Sequence, residues 1–375
     1  MKKVYRAGAG FLAVSLSIIA VWVIQIYISL PDVSVLKHYR PSAAAEVLDR
    51  DGRVLAQYYD RKFRVWVPVS SLPDLVIHAV VTAEDDTFFE HKGFNYQATW
   101  DAFLHDVQKG RFARGGSTIT QQMIKNVLLS REKTLSRKLR EFFLAQRTED
   151  LLTKREIIEI YLNEVEWGEN IYGIEAASRF YFDKHATELT TAEAALLAGM
   201  LPNPRFFNPA KRMDKARDRQ ERVISNMLQA KLISEDEFTA AVRAPLRLRD
   251  ASSSRFDFSA LSDSNGRPCY RKVLEQTLLG VYGEHGLYRQ GLRIRTTLDK
   301  TLQERFASGT DRDVHGVPDQ IITVEQVGEI KAFVCSSDKD GVRSELDSLG
   351  APYDAYDILV RSPDSIGKDE IVIGE

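Results

Sequence analysis

The run of 25 uncharged residues from Ala7 to Pro31 is the strongest constraint in this 375-residue sequence. It follows Lys2, Lys3 and Arg6, and its apolar centre extends from Phe11 to Leu30. At about 1.5 Å of rise per residue, roughly 20 helical residues cross a hydrocarbon layer of ~30 Å. Trp22 and Tyr27 fall towards the outer end, where amphipathic rings favour the interface. A cleaved signal peptide is the competing reading, but the run is long for one and no Ala-x-Ala site follows it. Residues 1–36 are therefore expected to be a cytoplasmic stub and a single-pass anchor. Positive flanking charge stays inside, so the chain from about residue 32 onward is expected on the outer side of the membrane.

The remainder has the composition of folded domains, 44% hydrophobic and 28% charged. This excludes wholesale disorder, a collagen-like repeat and a polytopic membrane protein. Cys269 and Cys335 cannot build a disulfide framework or a cysteine zinc site, and no bridge between them is expected. The seven histidines contain no HExxH pair, so a histidine-held catalytic metal is not expected. The net charge of −2 conceals an asymmetry: residues 301–375 hold 16 acidic and 7 basic residues, so the first 300 carry +7. A basic region next to a membrane segment points to anionic lipid or a phosphorylated substrate. No basic-aromatic nucleic-acid motif is present, and nucleic acid is not an expected partner.

Residues 38–70 contain short β-type runs, Ala45–Leu48 and Phe63–Val67, with an Asp51-Gly52 turn between them. From about 73 to 245 apolar residues recur at helical spacing, as in Glu156–Leu162 and Ala192–Leu201, the latter stopped by Pro202, Pro204 and Pro209. Two further helices are expected over 214–243, with Ser234 and Glu237 as a capping box. Ser252–Ser254 reads as a linker. β-type runs then dominate: Leu292–Thr297, Ile321–Val324 and Ile371–Ile373.

Three clusters carry the chemistry. In Ala83–Gly93, Glu84 and Asp85 stand beside Phe88 and Phe89, and an apolar setting can raise a carboxyl pKa and make a general base. Taken alone, an acidic run is more often a solvated face. In Arg114–Asn126, two glycines allow close backbone approach, Ser117 can cap the following helix, and N–H groups there could hold phosphate oxygens. Gln121 and Lys125 share a helix face; the plainer reading is a glycine turn and a capped helix. In Arg137–Ala145, Arg137 and Glu141 also share a face, in isolation a surface ion pair worth under ~1 kcal/mol.

Together and in order, these clusters resemble the motifs of the family 51 peptidoglycan glycosyltransferases, found in class A penicillin-binding proteins and monofunctional transglycosylases. Glu84, Asp85, Phe88, His91 and Gly93 match the first motif. Gly115 to Gln122, followed by Lys125-Asn126, match the second, and Arg137, Lys138 and Glu141 the third. Tyr161-Leu162-Asn163, Gly168, Gly173, Glu175-Ala176-Ala177 and Tyr181-Phe182 match the fourth. Glu193 to Gly199, Pro204 and Asn208-Pro209 match the fifth. Asn95 departs from the usual Asp, and Asp101 from a frequent Arg or Lys.

The resemblance implies a mainly α, lysozyme-like glycosyltransferase domain over residues 37–249 with a membrane-dipping jaw. It implies polymerisation of lipid II into β-1,4-linked glycan, inverting at the anomeric carbon and releasing undecaprenyl pyrophosphate. Glu84 and Glu141 take the catalytic roles, Glu84 as base. Ser117, Gln121, Lys125, Asn126, Arg137 and Lys138 would hold substrate, with Asp85, Phe88 and His91 in support. Asn163, Gly168 and Gly173 read as structural. No cofactor is required by this reading, although a divalent cation (Mg or Mn) could sit by the pyrophosphate. Partners are lipid II, the growing glycan, the membrane and candidate cell-wall synthesis proteins.

Residues 281–303 resemble the linker into the transpeptidase domain of class A penicillin-binding proteins, and Gly328–Ala332 its opening strands. Ser336–Lys339 fits Ser-x-x-Lys, but so do Ser34–Lys37 and Ser130–Lys133, and neither Lys-Thr-Gly nor Lys-Ser-Gly occurs. No transpeptidase is expected. The C-terminal part is expected to be a linker over 250–305 and an acidic, β-containing tail over 306–375. A non-catalytic scaffold for lipid II or cell-wall partners is the alternative function. A lysozyme-like hydrolase is a third, opposed by Lys125, since glycan hydrolysis has no pyrophosphate to hold.

Overall fold

Hydroxyl caps start most helices of the middle region. In the computed structural model, Thr118, Thr134, Thr153, Thr190 and Ser234 each accept a hydrogen bond from the backbone N–H three residues on. All but Thr134 complete a capping box, including the expected Ser234–Glu237 pair. The structure describes residues 2–60, 62–96, 116–129, 134–249, 269–303, 321–326, 329–334, 357–361 and 372–374. The linker serines, the Ser-x-x-Lys matches at Ser130 and Ser336, Asp101 and Cys335 lie outside them.

Two compact units divide the chain, one of residues 1–40 and 67–248, the other of 41–66 and 249–375. The first is helical. Helix α1 (Lys2–Ile28) opens a stretch long and apolar enough to cross a membrane, with mean hydropathy 2.1 over its most apolar window. Helices α2 (Asp74–Glu84), α3 (Ile119–Val127), α4 (Leu135–Leu151), α5 (Lys154–Glu164), α6 (Ile174–Phe182), α7 (Thr191–Met200), α8 (Met213–Gln229) and α9 (Glu235–Arg243) follow. α7 is apolar on nearly every side and is buried from Ala194 to Met200, as a central helix must be. Gly199 permits its contact with α8: a Cβ there would lie 3.0 Å from the Arg219 Cβ. Buried Gln220 ties the same pair by donating to the Ala192 carbonyl at 2.7 Å.

The C-terminal end of α1 rests on α4. Tyr27 meets Phe143 edge to face at 5.3 Å, the Arg147 guanidinium lies 4.4 Å over the Tyr27 ring, and Arg140 donates to Ser29 Oγ at 3.3 Å.

Asn163, Gly168 and Gly173 are structural, as expected. The buried Asn163 amide bonds both the N–H and the C=O of Val67. A Cβ on Gly168 would strike the Tyr181 hydroxyl at 2.6 Å, and Gly173 has φ +85°. Glu175 is structural as well. Burial pushes its carboxyl pKa up, but the Arg179 charge and bonds from Ala186 N–H, His185 and Arg179 outweigh this and leave it lowered. That stability is present above the unfolded carboxylate pKa and is lost as pH falls through the lower folded value. Glu175→Ala is expected to lower unfolding free energy by ~3 kcal/mol, because it removes the carboxylate of a buried ion pair and takes the acceptor from the Ala186 N–H. An unchanged denaturant midpoint would contradict this.

The second unit corrects the domain boundaries read from the sequence. Ala45–Leu48 pairs antiparallel with Val54–Tyr58 through the expected turn, Gly52 at φ +84°. It also runs parallel to Arg293–Thr296, which pairs in turn with Val372–Gly374. Residues 41–66 therefore belong with the C-terminal half rather than with the helices. Residues 269–303 are no plain linker either. Cys269–Arg289 is helical, kinked at Gly283, and buries Val273, Leu274, Leu278 and Leu287 against Val47, Leu55, Ile294 and Leu298. The expectation that β-type runs dominate after 250 missed this helix, although its apolar residues keep helical spacing.

The acidic tail is not separate. Ile330 is fully buried in the same core, and its carbonyl accepts from Thr297 Oγ1. Its strand, Glu329–Val334, pairs with Ile321–Gln326, which pairs with Asp357–Arg361. A chain ending at Leu302 is therefore expected to lose hydrogen-exchange protection over 45–48 and 293–296. Unchanged protection there would show the tail to be dispensable to the unit.

Candidate active site

Glu84 is the last residue of α2, where the helix stops because Asp85 leaves helical geometry (φ −164°, ψ 76°). The buried Asp85 carboxylate then joins two other segments. Both of its oxygens lie 3.0 Å from His91 Nε2, and Oδ2 accepts from the Ile119 N–H at 2.9 Å. Thr118 Oγ1 donates to the Gly93 carbonyl at 2.8 Å. Gly93 has φ +77°, and a Cβ there would lie 2.8 Å from the Ala145 carbonyl, so glycine is required where this turn meets α4. Phe88 is fully buried beneath the Lys154 ammonium, 4.4 Å above its ring. Asp85, Phe88 and His91 thus lie in the frame around Glu84.

Within that frame Glu84 Oε2 accepts from Gln122 Nε2 at 2.7 Å, while the buried Oε1 has no hydrogen-bond partner among the described residues. Desolvation raises the Glu84 pKa; the Gln122 bond and the Arg219 and Lys125 charges oppose it without cancelling it. A carboxylate of raised basicity with one uncommitted oxygen suits proton abstraction.

The second cluster lies on α4. Glu141 is buried, with Lys138 Nζ 2.9 Å from Oε2 and Arg137 Nε 3.0 Å from Oε1. The Arg137 contact is an ion pair without hydrogen-bond alignment. Lys138 Nζ also donates to Ser117 Oγ at 2.7 Å, which brings the second and third motifs together. Lys125, on α3, is felt by both clusters. Desolvation lowers its pKa, as do Arg137 and Lys138, while Glu141 and Glu84 pull it upwards. A cation crowded by cations is poised to take up an anion.

Two expected positions fall differently. Gln121 is buried, and its Oε1 accepts from Thr118 N–H as half of the capping box, so it serves the α3 start rather than an open face. Asn126 is exposed at the end of α3. Two residues not expected at the site reach it. Gln122 bonds Glu84, and it shares a face with Lys125 and Asn126, a spacing that could have flagged it. Arg219 of α8 acts on Glu84 electrostatically, donates to the Gly199 carbonyl and lies 5.4 Å over Phe207. A single arginine on an amphipathic helix gave no signal.

Residues 51–228, which hold every one of these groups, match the transglycosylase family. This stretch is a family 51 transglycosylase domain. Penicillin-binding protein 1A of Aquifex aeolicus is 35% identical over 304 residues, covering 81% of this chain and 40% of that protein. Penicillin-binding protein 1A of Escherichia coli is 34% identical over 310 residues, covering 80% and 35% respectively. The chain thus spans well under half the length of these curated relatives. A crystal structure of penicillin-binding protein 1A from Haemophilus influenzae has a TM-score of 0.38 at 22% identity, over 72% of this chain and 28% of that one. So slight a likeness adds nothing to the fold described above. In the transglycosylase domain, the first and second motifs converge on Glu84 and the second and third on Glu141.

Proposed function

We propose that the chain polymerises lipid II into β-1,4-linked glycan at the outer face of the cytoplasmic membrane, held there by α1. The observation that carries this is the pairing of a half-buried, partly uncommitted carboxylate with a separate cationic cluster. Glu84 Oε1 takes the proton from the acceptor sugar's 4-hydroxyl as the oxygen bonds the anomeric carbon from the side opposite the leaving group. The bond to undecaprenyl pyrophosphate breaks, and the configuration inverts. Lys125, Arg137 and Lys138 stabilise charge gathering on the pyrophosphate, and Glu141 keeps the last two oriented.

A resident metal does not fit the donor set. Both Glu141 oxygens already face cations, and among the described residues no three His, Cys, Asp or Glu side chains gather as metal ligands. A divalent ion would be held chiefly by the substrate's own pyrophosphate, and no step is routed through one.

The test is purified full-length protein with labelled lipid II, scored for polymer, and with finished glycan, scored for cleavage. Polymer supports the proposal. Cleavage without polymer would replace it with hydrolysis, and binding without either product would replace it with a scaffold. Because the Glu84 pKa is raised and the base must be ionised, the rate should fall on acidification at a higher pH than an ordinary carboxylate would give. A pH–rate profile flat down to the ordinary carboxylate range would remove Glu84 from this role.

A further inference from the structure

Tyr161 lies on α5, is fully buried, and has no place in the reaction as described. Its hydroxyl donates to Gln122 Oε1 at 3.3 Å. The same amide sends one Nε2–H to Glu84 Oε2 at 2.7 Å and the other towards the Ser117 carbonyl at 3.5 Å. The partners dictate the amide's orientation: two acceptors face its nitrogen and one donor faces its oxygen. Turned over, the amide would set its carbonyl against the Glu84 carboxylate and the Ser117 carbonyl.

We infer that Tyr161 is a positioning residue, which through Gln122 fixes which oxygen of Glu84 is free to act as base. This rests on Glu84 being the base. With Gln122 locked, Oε2 is engaged and Oε1 is left to receive the proton. Burial and the neighbouring Glu84 and Asp85 charges push the Tyr161 pKa well up, so its O–H stays a donor at any working pH. The charged groups acting on Glu84 are Arg219 from α8, Lys125 from α3 and the adjacent Asp85. The Tyr161→Phe and Gln122→Leu changes leave all three in place.

Tyr161→Phe is expected to lower the polymerisation rate roughly three- to tenfold at unchanged KM, the worth of one neutral hydrogen bond. The acid limb should move to higher pH, because an unlocked amide no longer holds down the Glu84 pKa. Gln122→Leu should do the same more strongly. Tyr161→Phe placed in the Gln122→Leu background should add nothing, since its only route is gone. Equal losses in both backgrounds would overturn the inference, as would a rate loss with an unmoved acid limb. The second readout needs no turnover: the Glu84 carboxyl is titrated by NMR in full-length protein carrying ¹³C-labelled glutamate, its signal assigned with Glu84→Gln. A Glu84 pKa raised by Tyr161→Phe supports the link even if lipid II is not the substrate. An unchanged one overturns it even if polymer forms.

Discussion

Glu84→Gln is expected to abolish polymer formation, with a rate loss of ~10² to 10⁴, the usual worth of a general base. The amide has nearly the shape of the carboxylate and keeps an oxygen that can accept from Gln122, so the frame of Asp85, His91 and Ile119 should stand. Unfolding temperature should hold or rise, because the change removes a carboxylate that burial already disfavours. Lipid II binding, measured by retention on the protein without turnover, should remain near the native level. A variant keeping more than half the native rate would end the assignment, and so would one that loses binding and rate together.

The second large effect is expected from the cations. Arg137→Ala and Lys125→Ala should each cost ~10² in polymerisation rate, the scale for removing one preorganised stabiliser of developing charge. Lys211→Ala, an exposed lysine outside the motifs, should stay within about twofold. The reason is differential: a cation facing the leaving group gains interaction as its bond breaks, while one elsewhere attracts substrate and product alike. Arg137→Ala should also raise the Lys125 pKa, since the Arg137 charge is among those lowering it. Equal, small losses at all three positions would reduce the basic surface to an attractor of anionic lipid.

Glu84 and Glu141 could be singled out as candidates because they stand in ordered motifs whose residue types answer chemical needs: a base for a hydroxyl, cations for a pyrophosphate. What escaped was set by geometry beyond the motif. Gln121 and Gln122 are adjacent and chemically identical. Only the capping of α3 by Thr118, which turns Gln121 inward, decides which of them reaches Glu84. Arg219 comes near Glu84 through the α7–α8 crossing at Gly199, a tertiary contact with no local pattern. The helical middle was readable from apolar spacing and its proline stops. The strand character of Ala45–Leu48 was readable too, but its parallel partner was not, because periodicity names a face and not a neighbour.

That partnership bears on how the chain is made. Thr296 closes a hydrogen bond to Leu48 across 248 positions. A ribosome delivers Ala45–Leu48 long before Arg293–Thr296, and later still come Ile330 and Val372–Gly374. The helices between pack among themselves within residues 67–248 and can assemble while synthesis continues. The early hairpin must wait with one edge unsatisfied, and such non-local pairing is slow and vulnerable to association between chains. Maturation of this protein should therefore be limited by completion of its second unit, with unfinished chains already carrying a folded catalytic half.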